Sequence, residues 1–118
     1  MSHLAKLLKA LSDPTRAEIL HHLAREALCV GALADRLDIT PSAVSQHLRV
    51  LREIDLVDGD KRGHWVHYSL DREHLREASV LIDDWLGRLA APSPDSCADT
   101  GRCPKTGRAG PITALSRR

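Results

Sequence analysis

Apolar residues recur three or four positions apart in four stretches of the first half of the chain, and this spacing predicts four amphipathic helices. A capping side chain followed by proline, typical of a helix start, precedes the second and fourth stretches as Asp13-Pro14 and Thr40-Pro41. The third stretch runs from Cys29 to Leu37, and the fourth covers residues 42–54. The apolar positions are, in order, Leu4, Leu7, Leu8, Leu11; Ile19, Leu20, Leu23; Val30, Leu33, Ala34, Leu37; and Val44, Leu48, Leu51, Ile54.

The second half of the chain predicts a β-hairpin followed by one long helix. After a turn at Arg62-Gly63, apolar and polar residues alternate as in a half-buried strand. A helix then extends from the cap Asp71 to about Ala90. Its broad apolar arc predicts burial against the first helix and against the same helix of a second copy, and therefore a homodimer. The arc consists of Leu75, Ala78, Val80, Leu81, Ile82, Trp85, Leu86 and Leu89.

The short turn between the third and fourth predicted helices makes them a helix-turn-helix pair, a motif that many proteins use to enter the major groove of DNA. Glutamine and arginine can pair with the edges of adenine and guanine, and serine can donate to phosphate. Polar faces also occur on ordinary helical bundles, so this helix alone leaves both interpretations open. The polar face of the fourth helix consists of Ser42, Ser45, Gln46, Arg49 and Arg52.

The predicted hairpin favours DNA binding, because it directly follows the fourth helix and carries Lys61 and Arg62 at its tip. A basic hairpin in that place can reach phosphates or the minor groove as a wing. The sequence therefore predicts a mainly α-helical fold with a β-hairpin wing, which is a winged helix-turn-helix.

Composition narrows the possible classes of protein. The 118 residues include 17 Lys and Arg against 16 Asp and Glu, a net charge of +1, which excludes a histone-like polycation but allows a local basic surface. Aromatic residues make up 3%, too few for a platform that stacks single-stranded bases. The chain has no membrane-length apolar run, no signal-peptide pattern and only three cysteines. We therefore expect a cytoplasmic protein with reduced thiols and no membrane partner.

Composition changes once along the chain, near residue 91. Residues 1–90 form the predicted DNA-binding and dimerisation domain, whereas residues 91–118 hold four of the six prolines and three of the seven glycines. A tail of that composition can bury little apolar surface, so we expect it to be mobile. It carries two of the three cysteines, Cys97 and Cys103.

Three blocks of the sequence resemble the ArsR/SmtB family of bacterial winged-helix repressors: residues 11–30, residues 41–51 (PSAVSQHLRVL) and residues 62–68 (RGHWVHY). The resemblance covers about residues 4–90 and implies a homodimer through the first and last helices. It implies a repressor that leaves double-stranded operator DNA when an inducer, usually a metal or metalloid, binds. Two-fold symmetry predicts an imperfect inverted repeat as the operator. The implied DNA contacts are Ser42, Ser45, Gln46, His47 and Arg49, with Lys61 and Arg62 in the wing.

Two metal sites known in this family are incomplete here. The positions of the last-helix site hold Arg72, His74, Trp85 and Arg88, and two arginines would repel a cation. We therefore expect no zinc, nickel or cobalt site there. At the start of the third helix Cys29 is present, but Gly31 occupies the second ligand position. Cys29 is either a small core residue or a single ligand.

Cys97 and Cys103 remain as candidate ligands. Some arsenic-responsive members of the family carry a vicinal cysteine pair beyond the last helix and a third cysteine after the same five-residue gap; here Ser96 replaces one cysteine of the pair. Thiolates suit As(III), Sb(III) and trivalent organoarsenicals, and Cys29 could supply a third thiolate. We expect such an inducer and no permanently bound cofactor.

Other classes of function stay open on the sequence alone. Under oxidant, Cys97 and Cys103 could form a disulfide in a redox-sensing repressor, or the two thiols could have no ligand. A winged helix can also serve as a protein-interaction module without an inducer. An enzyme is not expected, because a thiol nucleophile needs a base beside it in a rigid pocket, which a Pro/Gly-rich tail does not provide.

Overall fold

The computed structural model describes residues 2–94, so Cys97 and Cys103 lie outside the described residues. Within this range, five helices and one antiparallel hairpin follow the predicted order and form a winged helix-turn-helix. None of these five helices is long and apolar enough to cross a membrane. The elements are α1 Ser2–Leu11, α2 Pro14–Arg25, α3 Val30–Leu37, α4 Pro41–Glu53, β1 Val57–Arg62, β2 Trp65–Leu70 and α5 Arg72–Ala90.

Side chains cap the starts of three helices, as the sequence predicts. The Asp13 carboxylate accepts the backbone N–H three positions later at 2.9 Å, and the Thr40 hydroxyl does the same at 3.1 Å. Pro14 and Pro41 follow these caps in the first turn of α2 and α4. Asp71 caps α5 in the same way at 3.1 Å. These starts are predictable because the cap satisfies an N–H that the helix itself leaves without a partner.

The core lies between the first four helices and the base of the hairpin. The apolar stripe of α4 is fully buried, as predicted, whereas no residue of α5 is fully buried in the single chain. Helix α5 rests on this core with only part of its apolar surface. The buried apolar residues are Leu4, Leu7, Ala10, Ile19, Leu23, Leu28, Leu33, Ala34, Val44, Leu48, Leu51, Ile54, Leu56 and Val57.

The hairpin turns one residue later than the sequence predicted. Arg62 pairs with Trp65 as the last residue of β1, and Gly63 and His64 form the two-residue loop. Gly63 has φ of 63°, a left-handed conformation that glycine adopts without steric cost. The turn prediction at Arg62-Gly63 is therefore wrong by one residue, and Arg62 is held in the strand beside the loop.

Two backbone hydrogen bonds attach the wing to the helical body. Leu28, which precedes α3, and Tyr68 exchange them at 3.0 and 2.8 Å. The Tyr68 ring lies against Gly59 of β1, where an added Cβ would come within 3.1 Å of the ring. Glycine at position 59 thus allows the ring to pack closely on β1, and the two hydrogen bonds hold the wing against the segment before α3.

Candidate functional site

The outer surface of α4 carries the residues that the sequence predicted to contact DNA, with one exception. Four predicted contacts are exposed on the side of the helix opposite the buried stripe: Ser42, Ser45, Gln46 and Arg49. Arg52, which was not among the predicted contacts, is exposed on the same side, and we call these five residues the α4 polar face. Three- and four-residue spacing places them along one side of the helix. Their donors and acceptors are therefore available together to one ligand surface.

His47 is the exception, because it does not lie on the α4 polar face. Its side chain is 23% exposed, and its Nδ1 lies 3.2 Å from an Arg16 guanidinium nitrogen and 3.9 Å from the Asp13 carboxylate. His47 follows the buried Val44 by three positions and therefore stands at the edge of the buried side of the helix. The structure turns this ring toward Asp13 and Arg16 at the start of α2.

The wing stands next to the α4 polar face. Lys61 and Arg62 are both exposed, and the Arg62 Nε donates to the Asp60 carboxylate at 3.2 Å. Between α4 and the wing lies an open cleft of about 450 Å³. Two arginines and a tyrosine therefore lie around one cleft between the helix and the hairpin. The cleft is lined by Ser45, Leu48, Arg49, Arg52, Glu53 and Tyr68.

Three residues near this surface were missed by the sequence analysis. Tyr68 lines the cleft, although its alternating pattern predicted only a strand residue facing the core. Trp65 is 64% exposed next to Arg62, an unusual position for so large an apolar ring. Arg16, on α2, contacts His47 from a position 31 residues earlier in the chain. No local sequence pattern indicates a contact over that separation.

Helix α5 has a large exposed apolar face in the single chain. Leu86 is 51% exposed and Leu89 is 64% exposed, and an open groove of about 410 Å³ runs along this side. We call the surface formed by Leu86, Leu89 and the apolar lining of this groove the α5 apolar face. The apolar residues lining the groove are Leu11, Leu56, Leu75, Ala78, Ile82 and Leu86.

His74 is engaged at the start of α5. Its Nδ1 lies 2.7 Å from the Asp71 carboxylate, and this hydrogen bond raises the pKa of the imidazole. The backbone N–H of His74 in turn lowers the pKa of Asp71. Within residues 2–94 no group of three His, Cys, Asp or Glu side chains is arranged to hold a metal ion.

Cys29 lies at the residue before α3, not inside it as predicted. Its backbone is extended, its side chain makes no capping hydrogen bond and its thiol is free and half-buried. Helix α3 begins at Val30 because Cys29 occupies the capping position, where backbone dihedrals are not helical. This position is compatible with either predicted role, as a small apolar residue or as one ligand.

Proteins similar to this chain share its helix-turn-helix fold and are described as transcriptional regulators. Residues 11–60 match the helix-turn-helix domain family. Over 74 residues the chain is 40% identical to a cadmium resistance transcriptional regulatory protein homologue of Staphylococcus aureus, covering 62% of this chain. The match spans 61% of that regulator's own length.

Solved structures extend the match. An ArsR-like transcriptional regulator from Rhodococcus sp. RHA1 aligns with a TM-score of 0.65 and 33% identity, covering 75% of this chain and 88% of that one. A possible transcriptional regulator for arsenical resistance aligns with a TM-score of 0.62 and 35% identity, covering 75% of this chain and 96% of that one. These proteins are described as regulators and not as enzymes.

Proposed function

Because the chain belongs to the ArsR/SmtB family of winged helix-turn-helix transcriptional regulators, we propose that it is a DNA-binding repressor that acts as a homodimer. The observation that carries this proposal is the α4 polar face, exposed beside the wing and the arginine-lined cleft. Helix α4 enters the major groove of operator DNA, where Gln46 and Arg49 contact bases and Ser42 and Ser45 contact phosphates.

The homodimer follows from the α5 apolar face. Leu86 and Leu89 would leave a contiguous apolar surface in water if the chain acted alone, and a second copy is the simplest partner that covers it. A two-fold dimer presents two identical α4 helices, so the operator is an imperfect inverted repeat.

The inducer is a thiophilic centre, As(III), Sb(III) or a trivalent organoarsenical, held by Cys97 and Cys103. Support comes from the chemistry of the cysteines, because two thiolates six positions apart suit one soft centre. One similar protein is described as a possible transcriptional regulator for arsenical resistance and another as a homologue of a cadmium resistance regulatory protein, and both elements prefer sulfur ligands. Cys29 is the candidate for a third thiolate.

Fluorescence anisotropy with two labelled duplexes tests this function. One duplex comes from the region upstream of the protein's own coding sequence, and the other is a scrambled duplex of the same base composition. We expect tighter binding to the first duplex and release on addition of arsenite. Equal affinity for both duplexes would contradict operator recognition, and a preference that arsenite leaves unchanged would contradict only the inducer.

Replacing Arg62 by alanine should weaken binding to both duplexes and flatten the salt dependence. Each phosphate contact removed should lower the logarithmic salt slope by about 0.9, and a dimer loses one contact from each wing. The matched control is Arg88→Ala, because Arg88 is also exposed and also pairs with an aspartate, Asp84, but on α5. An unchanged slope for Arg62→Ala would contradict the assignment of the wing.

Replacing Gln46 by alanine should relax the base preference and have little effect on scrambled DNA. A good paired contact to a base contributes roughly 1–3 kcal/mol of discrimination, so affinity for the preferred duplex should fall by that amount. Gln46 is exposed, so the thermal midpoint of the variant should equal that of the unsubstituted protein. An equal loss on both duplexes would show that Gln46 contacts the DNA backbone instead.

A further inference from the structure

One arginine side chain connects the end of α1 to the side of α4. The Arg16 Nε donates to the carbonyl of Ala10 at 2.7 Å, and one terminal nitrogen donates to the carbonyl of Lys9 at 3.4 Å. The other terminal nitrogen donates to Nδ1 of His47 at 3.2 Å. The last carbonyls of a helix have no partner within it, and here Ser12 also donates to the Lys9 carbonyl, from its N–H at 3.3 Å and its hydroxyl at 2.7 Å. Arg16 adds to this cap of α1 and contacts α4 with the same planar group.

An open groove lies beside this connection. Helix α2 packs against both α1 and α4, but a groove of about 600 Å³ lies between α1 and the second half of α4. The two helices are therefore separated along this groove, and Arg16 is one of the residues that line it. The groove is lined by Lys6, Lys9, Ala10, Arg16, Val50, Glu53 and Ile54.

The contact depends on the protonation state of His47. Nδ1 can accept from the guanidinium only while it carries no proton, which leaves the ring proton on Nε2. The charged groups facing this nitrogen are the Arg16 guanidinium at 3.2 Å and the Asp13 carboxylate at 3.9 Å. The backbone N–H of Arg16 lowers the pKa of Asp13, which favours the ionised carboxylate. A protonated Nδ1 would lose its acceptor role toward Arg16 and have the Asp13 carboxylate as its neighbour.

We propose that Arg16 is a positioning residue for DNA recognition. Through its contact with His47, Arg16 holds α4 in a defined position relative to α1. This inference rests on the proposed function, in which α4 contacts DNA and α5 forms the dimer interface, and on the family resemblance, which implies that α1 joins α5 in that interface. Two recognition helices match two half-sites only if their separation is correct. A connection from an interface helix to a recognition helix therefore contributes to that match. It also gives His47 a role different from direct base contact.

The test is a double-mutant cycle on the full chain, with a labelled duplex that the unsubstituted protein selects from random-sequence DNA. Arg16→Gln and His47→Ala should each weaken binding roughly tenfold, and the double variant should be no weaker than either single variant. His47→Asn should retain most of the affinity, because its amide oxygen can accept from Arg16 at the place of Nδ1. The control is Arg72→Gln, which removes a guanidinium that donates to the Ala24 carbonyl at 3.2 Å. It should change affinity by less than about twofold.

Binding measured over a range of pH distinguishes two roles of Arg16, positioning of α4 through His47 and simple capping of α1. The loss caused by Arg16→Gln should shrink as His47 becomes protonated, because the contact is then broken in the unsubstituted protein as well. Nuclear magnetic resonance of the ring nitrogens reports the protonation of His47 in the same samples. Capping of α1 through Ala10 and Lys9 involves carbonyls that do not titrate.

Each outcome supports or overturns the inference. A non-additive cycle, rescue by His47→Asn and a loss that depends on pH would support it. An Arg16→Gln effect that is equal in the unsubstituted protein and in the His47→Ala variant, or constant with pH, would overturn the inference and leave the proposed function intact. If neither the unsubstituted protein nor Arg72→Gln selected any duplex, the proposed function would fail and the inference with it.

Discussion

A protein with aspartate in place of Leu86 should be a folded monomer at micromolar concentration, whereas the unsubstituted protein should be a dimer. Leu86 is 51% exposed in the single chain, so its replacement removes little of the protomer's own core. In a two-fold dimer each substitution occurs twice, and two carboxylates would lose water in one interface. At roughly 3 kcal/mol for each of the two unpaired buried charges, the dimer dissociation constant should rise by about 10⁴-fold.

Val80→Asp is the matched control for this substitution. The sequence pattern placed Val80 in the apolar arc of α5, but in the structure Val80 is 68% exposed, does not line the α5 groove and lies about 120° around the helix from Leu86. The Val80 variant should remain a dimer. Ile82→Asp should also give monomers or insoluble protein, but Ile82 packs partly against the protomer's own core and is the less selective test.

Sedimentation velocity gives the oligomeric state, and far-ultraviolet circular dichroism shows whether each variant is folded. A dimeric Leu86→Asp protein would show that the α5 apolar face is not the interface between copies. Monomers of both variants would show that an aspartate on either side of α5 disrupts association, which would contradict an interface confined to the α5 apolar face. Only the combination of a monomeric Leu86 variant and a dimeric Val80 variant supports the proposed dimer.

The helices of this fold were predictable because their determinants are local. Asp13 and Thr40 with their following prolines marked two helix starts, and the stripe through Val44 and Leu48 identified the buried side of α4. Caps and periodicity involve residues within one or two turns of each other, so they are visible in a single sequence. The exposed residues of the α4 polar face followed from the same periodicity.

The features of the fold and the site that could not be predicted from the sequence depend on contacts between distant segments. His47 belonged by resemblance to the DNA contacts, but the guanidinium of Arg16 turns it toward α2. The hairpin loop lies one residue later than predicted, because pairing across the whole strand sets the register, including the pair of Arg62 with Trp65. The cleft beside the wing likewise includes Tyr68, which is paired with Leu28, 40 residues earlier in the chain.

The largest effect on regulation is expected from the tail thiols. Cys97→Ser and Cys103→Ser should each leave operator affinity unchanged and abolish release by As(III) or a trivalent organoarsenical. Serine matches the size of cysteine, but its hydroxyl is a hard oxygen ligand that stays protonated near neutral pH, so it does not replace a thiolate. Because two thiolates share one centre, losing either one removes the chelate, and the double variant should behave like each single variant.

Two further variants test the alternative ligands. Arsenite should release the His74→Ala variant from operator DNA as it releases the unsubstituted protein. His74 is held by Asp71 at the start of α5, and no other ligand completes a metal site with it among the described residues. Cys29→Ser decides between the two roles of that residue. A lost response would make Cys29 the third ligand, and a retained response would make it a small residue beside the core.

Release requires that the arsenical distinguish the DNA-bound protein from the free protein. A ligand with equal affinity for both states shifts nothing, and a shift from 99% bound to 99% free needs about a 10⁴-fold difference in affinity. Operator anisotropy against arsenite concentration therefore measures both the thiol site and its coupling to DNA.

Inducer affinity should fall at low pH, because the thiols must ionise to bind. Diamide in place of arsenite tests the redox alternative, since it oxidises Cys97 and Cys103 without leaving a bound centre. Full release of the Cys97→Ser/Cys103→Ser protein by arsenite would disprove the tail site and make Cys29 the remaining thiol.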